Sequence, residues 1–546
     1  MSSNFFSLSS QGKLRTIKEK PIISAINAFL RSPAYIIALA VLTAVSNLLS
    51  LDLYLYTVFI ITGVFIALFG SDFLALMPII ILCYVSPSPS NNPGKASNTG
   101  SVFYPENGGI YLIVIISLWV LCLLFRLLTD QELGGRKFLK KPRMLLSGML
   151  VLCGGYLIGG TAMEAYGLLS GMVLLGLLCV AAVVFVVLGK RGGATLRDEK
   201  NHKLLTACLT SAMCVYALVG ITGLLGDLPR RNLLFAAIQC VSIVGMYYLF
   251  SGAVRWSQVP KSYLAWTGMC VGFVVLVQLL ENYFSGRIFM DGTGTIDREL
   301  IYAGWGMHNN IGGMMAFMLP FPFYLACTQK RSWLFNILGT ILMLGVIVSC
   351  SRTSMLVAVV VYAFCVYLLL RRPETRKANI LVYVVILGLV GLACILFFRK
   401  LMDIFALFFD ELFVMSERDN LLSYGFKQFR QHPIFGGSFF PQGEYVPWDW
   451  ATSDSFSAFF PPRWHNTLIQ MLASCGVVGF ATYCLHRWQT VKLMLKRRST
   501  ENLFIGLCLA SLLVCSLMDC HFFNVGPVLF YSMALAYVEN IHESKL

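Results

Sequence analysis

The chain has 546 residues, of which 57% are hydrophobic and 13% are charged. Soluble globular proteins typically carry about 25% charged residues, so this composition excludes that class. Apolar runs recur at about 20 residues, the length that a helix needs to cross roughly 30 Å of hydrocarbon. The sequence therefore predicts an all-α polytopic integral membrane protein with about 14 to 16 transmembrane helices.

The formal net charge of +15 does not by itself indicate a nucleic-acid partner. The cations lie in short clusters between apolar runs, as they do in cytoplasmic loops of membrane proteins, and we predict no nucleic-acid binding. The 17 cysteines show no C-x-x-C spacing, and many lie inside apolar runs. They are predicted to act as small hydrophobic residues rather than as disulfide partners or zinc ligands.

The chain begins with a polar segment, residues 1–33. Its five cations are Lys13, Arg15, Lys18, Lys20 and Arg31. The apolar run that follows ends without a small-residue cleavage site, which predicts a cytoplasmic tail and a retained first helix. Candidate spans lie near residues 34–50, 52–70, 71–86, 109–128, 144–162, 165–188, 203–226, 231–252, 261–282, 304–327, 331–349, 352–371, 378–398, 464–486, 500–518 and 522–541.

Charge bias between these spans predicts their orientation, because cytoplasmic loops are enriched in Lys and Arg. Only Arg230 and Arg231 break the pattern. With the N-terminus inside, the other basic clusters fall on the cytoplasmic side, at residues 136–143, 190–203, 255–261, 330–331, 371–377 and 487–498. We therefore predict cytoplasmic N- and C-termini, and a long extracytoplasmic loop that ends just before His465.

Three regions follow from this pattern. They are the basic cytoplasmic tail 1–33, an N-terminal transmembrane bundle 34–300, and a transmembrane core 301–546 that includes the extracytoplasmic loop 399–463. A loop of this length is usually functional. Within it, residues 416–430 combine capping chemistry with apolar residues at helical spacing, which predicts a short amphipathic helix at the membrane interface.

Three basic residues lie on the predicted outer face: Arg352 between two spans, Arg418 at the start of the interfacial helix, and His465 at the start of the next span. An arginine beside an apolar run either snorkels to headgroup phosphates or has a partner and a task. A histidine at a helix start is either a plain interfacial residue or a base suited to proton transfer near pH 7.

The sequence around this histidine favours a function over a plain helix start. Arg463 and Trp464 come directly before it and Asn466 directly after it, and all three are candidates to line a site. Farther along the same span, Gly476 and Gly479 are small enough to let a neighbouring helix approach closely.

Further polar residues lie at the same predicted face. His308 and Asn309 open another span, where they either line the site or cap the helix. The acidic residues of the long loop show no D-x-D pattern and no tight ligand spacing, so no metal site is predicted. Asp519, Cys520 and His521 are predicted to be structural.

Several of these motifs together resemble a known family. In their order and spacing they are similar to the core of the O-antigen ligase and O-antigen polymerase superfamily, which also includes oligosaccharyltransferases acting on pilins. The resemblance covers roughly residues 300–490. The motifs that carry it are Ser349-Cys350-Ser351-Arg352-Thr353, Arg418, His432-Pro433-Ile434-Phe435-Gly436-Gly437, His465-Asn466 and Gly476-Val477-Val478-Gly479.

The resemblance implies an inverting, metal-independent glycosyltransferase without a cofactor. Such an enzyme takes a glycan from an undecaprenyl-pyrophosphate carrier and passes it to an acceptor hydroxyl outside the bacterial cytoplasmic (inner) membrane. Arg352 and Arg418 would hold the pyrophosphate, since the planar arginine fork pairs with phosphate oxygens. His465 would accept the proton of the attacking hydroxyl.

The sequence leaves open the acceptor and two rival classes of function, one of which is a scaffold without activity, for which His465→Ala would leave the glycan products unchanged. A ligase and a polymerase share the donor but differ in the acceptor, which is a lipid or protein hydroxyl for one and a second lipid-linked glycan for the other. A transporter or flippase of lipid-linked saccharides is the alternative from another class. It predicts charged residues near the middle of spans, and the candidate spans carry few of them.

Overall fold

The structure is a computed structural model of the chain. It describes residues 20–86, 246–286, 297–303, 305–396, 418–434, 464–496 and 499–541, together with residues 121, 122, 126, 239, 242, 243, 288, 398, 436, 437 and 439. Four predicted spans between residues 109 and 226, and most of the span near 231–252, lie outside these described residues. The same is true of Arg463 and of most of the loop 399–463.

The described residues form an all-helical protein, apart from one short antiparallel hairpin between β1 (Tyr302–Ala303) and β2 (Gly306–Met307). The first helices are α1 (Pro21–Leu30), α2 (Pro33–Leu48), α3 (Asp52–Phe69), α4 (Leu76–Val85), α5 (Met246–Ala253) and α6 (Tyr263–Phe284). After the hairpin come α7 (His308–Met318), α8 (Pro320–Thr328), α9 (Ser332–Val348), α10 (Arg352–Leu370) and α11 (Pro373–Leu396). The last are α12 (Arg418–Gln431), α13 (Thr467–Lys496), α14 (Thr500–Cys515) and α15 (Val525–Ile541).

Several helix boundaries follow directly from the sequence. Pro21, Pro33, Pro320 and Pro373 each begin a helix. Proline is favoured there because its ring fixes a helical φ and because the first helical N–H has no partner within the helix. At α14 the side chain of Ser499 accepts the N–H of Asn502 and so caps the helix.

Five described helices are long and apolar enough to cross a membrane, by length and composition: α6, α7 with α8, α10, α11 and α13. The bent pair α1 and α2 raises this number to six if it is one span. The prediction of an all-helical membrane protein is thus confirmed in class, whereas the number of 14 to 16 spans stays a prediction. The predicted span 71–86 contains a helix of only 10 residues, α4.

The core of the bundle lies around α6, α7 and α8. The apolar window of α7 and α8 is almost wholly buried, whereas that of α11 is almost wholly exposed. Exposed apolar side chains on α11 include Leu381, Leu387 and Ile395. An outer helix with such a surface suits contact with lipid, because hydrocarbon replaces the protein core as its apolar surrounding.

The turns at one end of the bundle are basic. Arg31 pairs with the buried Asp72 and donates to the carbonyl of Gln258 at 3.0 Å. Arg372 donates to the carbonyl of Cys327. Arg372 follows the end of α10, so the start of α10 lies at the opposite end of the bundle. Hydrogen bonds connect it there to the start of α7, and connect the start of α7 and that of α13 to the segment after α14.

One basic residue lies elsewhere than predicted. Arg487 belongs to α13 rather than to a cytoplasmic loop, and it is buried. Its guanidinium carbon lies 4.7, 3.8 and 4.8 Å from the ring centroids of Tyr483, Phe522 and Tyr531. Such stacking stabilises a desolvated cation by about 2 kcal/mol or more. The prediction for this residue was wrong because two of the three rings come from a distant part of the chain.

Candidate functional site

The turn between α9 and α10 carries the Ser349–Thr353 motif. The hydroxyl of Ser349 donates to the carbonyl of Val346 at 2.7 Å, closing the last turn of α9. Cys350 then takes a left-handed φ of 57°. A non-glycine residue in that region is strained and is held only by surrounding structure. The chain consequently reverses direction, and α10 begins at Arg352.

Ser351 connects this turn to the start of α7. Its hydroxyl oxygen lies 3.1 Å from Asn309 Oδ1 and 2.8 Å from Ser354 Oγ. His308 is the first residue of α7 and is buried. The structure therefore brings the predicted residues His308 and Asn309 to the same turn as Arg352.

Cys350 is poorly suited to act as a nucleophile, although it lies inside the motif. Burial raises the pKa of its thiol, and the Tyr283 hydroxyl and the charge of Arg298 only partly oppose that shift. The thiol therefore stays protonated at neutral pH, whereas nucleophilic cysteines react as thiolates. Reactive groups of the site must therefore be sought among its other side chains.

The residues before α13 form a second fixed turn. Trp464 is fully buried, and its backbone N–H donates to Gln470 Oε1 at 3.0 Å. Asn466 caps α13 by accepting the N–H groups of Leu468 and Ile469 at 2.9 and 3.2 Å. Between them, His465 has a left-handed φ of 49°. The imidazole is thus carried by a strained residue between two anchored neighbours.

His465 faces an acid that the sequence analysis had assigned to a structural role. Its Nδ1 lies 3.5 Å from Asp519 Oδ1, and the two side chains are 29% and 8% exposed. Asp519 itself is fixed because the same oxygen accepts the N–H of Cys520 at 2.6 Å. A carboxylate at this distance can orient the imidazole ring, as a general base requires.

The end of α14 joins the two turns. Asn466 Nδ2 donates to the carbonyl of Leu517 at 2.8 Å. On the other side, Asn524 beyond α14 donates its Nδ2–H to Asn310 Oδ1 of α7 at 2.7 Å. These contacts connect the start of α13 to that of α7, which Ser351 connects to the start of α10. We call the polar residues of these three helix starts and of the segment after α14 the polar cluster: His308, Asn309, Arg352, His465, Asn466 and Asp519.

Helix α12 packs alongside the first half of α13 and runs in the same direction. Leu421 near its start clusters with Trp464, and Gly437 beyond its end donates its N–H to the carbonyl of Ala473 at 2.8 Å. Arg418 is the first residue of α12, so its backbone lies at the same end as His465. The predicted helix over 416–430 is confirmed as a helix with nearly the same bounds.

Comparison with known proteins identifies a segment that holds three of the six residues of this cluster. Residues 337–484 match the family model described as O-antigen ligase. Over this segment the chain is similar to the O-antigen ligase family. The match contains Arg352, Arg418 and His465, whereas His308 and Asp519 lie outside it. A search of curated proteins found no match for the chain.

Two glycines of the O-antigen ligase segment explain the Pro433–Gly437 motif. Gly436 and Gly476 have φ values of 80° and 64°, and the α-helical geometry of α13 is broken at Gly476. A Cβ atom on Gly436 would lie 2.3 Å from the backbone of Ser474, and one on Gly476 would lie 2.3 Å from the carbonyl oxygen of Ile434. Only glycine fits at both positions, because each needs a left-handed φ and close backbone contact.

The loop also replaces the hydrogen bonds that the break removes. The N–H of Val477 donates to the carbonyl of Pro433 at 2.9 Å, and that of Val478 to the carbonyl of Ile434 at 3.2 Å. Backbone polar groups without partners are costly in an apolar setting, so this exchange allows α13 to bend inside the O-antigen ligase segment. Within the described part of the chain, no three His, Cys, Asp or Glu side chains cluster as metal ligands would.

Proposed function

We propose that this protein is a membrane glycosyltransferase that uses an undecaprenyl-pyrophosphate-linked glycan as donor. It transfers or polymerises the glycan onto an acceptor hydroxyl at the extracytoplasmic face, as the O-antigen ligase family of residues 337–484 suggests. The single observation that carries the proposal is the contact of His465 with Asp519, in a cluster built from helix starts that also bears Arg352.

The placement of these residues suits an anionic leaving group. His308, Arg352 and Arg418 are each the first residue of a helix, and His465 lies two residues before α13. Helix N-termini carry partial positive charge and unpaired N–H groups, which favour phosphate. Arginine adds full charge and a bidentate fork. Arg352 and Arg418 would hold the pyrophosphate and stabilise the charge that develops as it leaves.

In the reaction we propose, the imidazole acts as a general base. Nε2 of His465 accepts the proton of the acceptor hydroxyl, while Asp519 stabilises the resulting imidazolium. The hydroxyl oxygen forms a bond to the anomeric carbon as the bond from that carbon to the pyrophosphate breaks. Attack opposite the leaving group inverts the anomeric centre, and undecaprenyl pyrophosphate departs with its electron pair. The glycosyl pyrophosphate already activates the sugar, so no nucleotide is needed.

The transporter alternative finds less support in the described charges. Arg126 donates to the carbonyls of Leu68 and Gly70, Asp72 pairs with Arg31, and Arg487 stacks on three rings. Each of these three buried charges is therefore held by groups of the protein itself. A path for a lipid-linked saccharide would instead present such charges to the substrate.

The acceptor is either a lipid or protein hydroxyl, as in a ligase, or a second lipid-linked glycan, as in a polymerase. The two differ in product. A ligase converts a supplied acceptor into a single conjugate, whereas a polymerase lengthens the lipid-linked glycan when the donor is the only saccharide present. Incubation with donor alone, followed by mass spectrometry of the glycan lipids, distinguishes them.

The decisive experiment uses purified protein, a synthetic undecaprenyl-pyrophosphate oligosaccharide, candidate acceptors and a chelator. We expect release of undecaprenyl pyrophosphate, reduced about 10²- to 10⁴-fold in His465→Ala because the base is lost. His432→Ala, which removes an exposed imidazole at the end of α12, is the matched control and should retain the rate. Full activity of His465→Ala, or a need for added magnesium, would contradict the mechanism.

We also propose that the protein lies in a bacterial cytoplasmic membrane with both termini in the cytoplasm and the site outside. Support comes from the basic turns around Arg31 and Arg372, at the end of the bundle opposite to His465. A C-terminal green fluorescent protein should fluoresce, and a C-terminal alkaline phosphatase should be inactive. The reverse pair of signals would overturn this orientation.

A further inference from the structure

Helix α1 lies within the segment predicted to be a cytoplasmic tail, and it is bent by 70° from α2. The bend has a local cause. Ser32 has an extended backbone, its hydroxyl donates to the carbonyl of Phe29 at 2.7 Å, and Pro33 begins α2. A residue before proline disfavours helical geometry, so α1 has to end there. Helix α1 therefore runs across the direction of α2.

A polar stripe fixes α1 to the basic end of the bundle. Asn27 Nδ2 donates to the carbonyl of Phe69 at 3.1 Å, and Asn27 Oδ1 accepts the N–H of Ser71 at 2.9 Å. Arg31, one turn further on, donates to Ser71 Oγ at 2.9 Å and pairs with Asp72. Because these contacts hold both ends of the last turn, the rotation of α1 about its own axis is set.

The opposite side of α1 is apolar and exposed. Ile22 is 72% exposed and Phe29 is 47% exposed. With Ala25 they stand at positions i, i+3 and i+7, which lie on one face of a helix. The polar stripe of Ser24, Asn27 and Arg31 has the same spacing on the other side. The helix thus has the two-sided pattern of a helix that lies in a membrane interface.

We propose that α1 lies in the membrane interface at the basic end of the bundle and docks onto anionic phospholipid. Ile22 and Phe29 would enter the boundary between headgroups and acyl chains. The cations just before the helix, Lys13, Arg15, Lys18 and Lys20, would bind the negatively charged headgroups. On α2 the apolar side chains of Val41 and Val45 are exposed as well. This inference does not depend on the proposed enzymatic function.

Photocrosslinking of the full-length protein tests the docking. The protein carries p-benzoylphenylalanine in place of Ile22 or, as a matched control, of Ser24 on the polar stripe. Both proteins are placed in nanodiscs of phosphatidylcholine and phosphatidylglycerol and irradiated, and the masses of their adducts are measured by intact mass spectrometry. We expect phospholipid adducts at position 22 at several times the yield at position 24. Equal yields would overturn the proposal, as would a crosslinked dimer or a protein adduct at position 22.

A second experiment tests whether α1 prefers anionic lipid to other phospholipid. In the position-22 protein, Lys13, Arg15, Lys18 and Lys20 are replaced by Gln. The share of phosphatidylglycerol among the adducts should fall by about fivefold or more, since each cation near an anionic surface contributes to its attraction. An unchanged share would overturn the role of anionic headgroups. Thermal unfolding of each variant shows whether the fold is intact before irradiation.

Discussion

Two parts of the O-antigen ligase segment are held in place by different kinds of contact. The turn that ends at Arg352 is held by side chains, since hydroxyls of Ser349 and Ser351 make its connections. The contact of Gly436 with Gly476 is held by backbone atoms that approach without any side chain between them. The first arrangement can lose a polar group and keep its shape. The second cannot gain even a methyl group without moving the backbone.

The two regions therefore differ in role: one presents reactive side chains, and the other determines the course of the backbone. The side-chain turn presents groups that can act on a ligand, and it lies in the same cluster as His465. The backbone contact determines where α13 bends and therefore where its first residues lie relative to α12. We expect substitutions in the first region to reduce the rate more than the stability, and those in the second to reduce stability first.

The largest effect is expected from Gly476→Ala and Gly436→Ala. Each places a Cβ atom in backbone contact and forces alanine into a left-handed φ, which together cost about 2 to 5 kcal/mol of folding free energy. Thermal unfolding in detergent, followed by tryptophan fluorescence, measures the loss. Gly506→Ala is the matched control, because a Cβ there meets open space. Equal unfolding temperatures for the three variants would show that the backbone contact does not constrain the protein.

A smaller effect, on rate rather than stability, is expected from Asp519→Asn. The amide keeps the shape but cannot stabilise the imidazolium, which costs about 1.5 to 3 kcal/mol, or roughly 10- to 150-fold in kcat. Steady-state release of undecaprenyl pyrophosphate measures it, with unfolding temperature as the control. A variant that lost stability but kept kcat would show that Asp519 stabilises the fold and does not take part in the reaction.

Ser351→Ala should have a milder effect. It removes the hydrogen bonds to Asn309 and Ser354, at a cost of about 1 kcal/mol, and it loosens the start of α10. Because Arg352 begins that helix, we expect a higher KM for the donor with little change in kcat. Thr353→Val, one residue beyond Arg352, is the comparison variant. If Ser351→Ala destabilised the protein as much as Gly476→Ala, the contrast between the two turns would fail.

The smallest effect is expected from Cys350→Ala. Since burial raises the pKa of the thiol, it is protonated and unreactive at pH 7, and its removal should change kcat by less than about threefold. In the unchanged protein, alkylation of Cys350 should accelerate only at a pH above the range in which exposed thiols ionise, because burial raises its pKa. Peptide mass spectrometry after brief alkylation follows this reaction. Fast modification at pH 7 would contradict the assigned environment.

Much of the helical framework could be predicted from the sequence, because apolar runs of spanning length give a strong signal. The bounds of α10 and α12 lie within two residues of the predicted ones. The order of the motifs also indicated Arg352 and His465 together. Their roles stay predictions, and so does that of Arg418.

The partners of these residues were harder to predict, because a single sequence does not say which helix ends meet. Asp519 was assigned to structure since nothing local links it to His465, although an acid just beyond the end of an apolar helix was a usable signal. Arg487 was assigned to a loop because it follows directly after an apolar run. Its guanidinium stacks on Phe522 and Tyr531, which lie on other elements.

The three aromatic rings that contact Arg487 have a consequence for the assembly of the protein during synthesis. During synthesis α13 emerges before Phe522 and Tyr531, so at that stage the guanidinium has only Tyr483 of its three rings beside it. The other two rings come from the segment after α14 and from α15. The second half of α13 should therefore pack stably only after α15 has been synthesised.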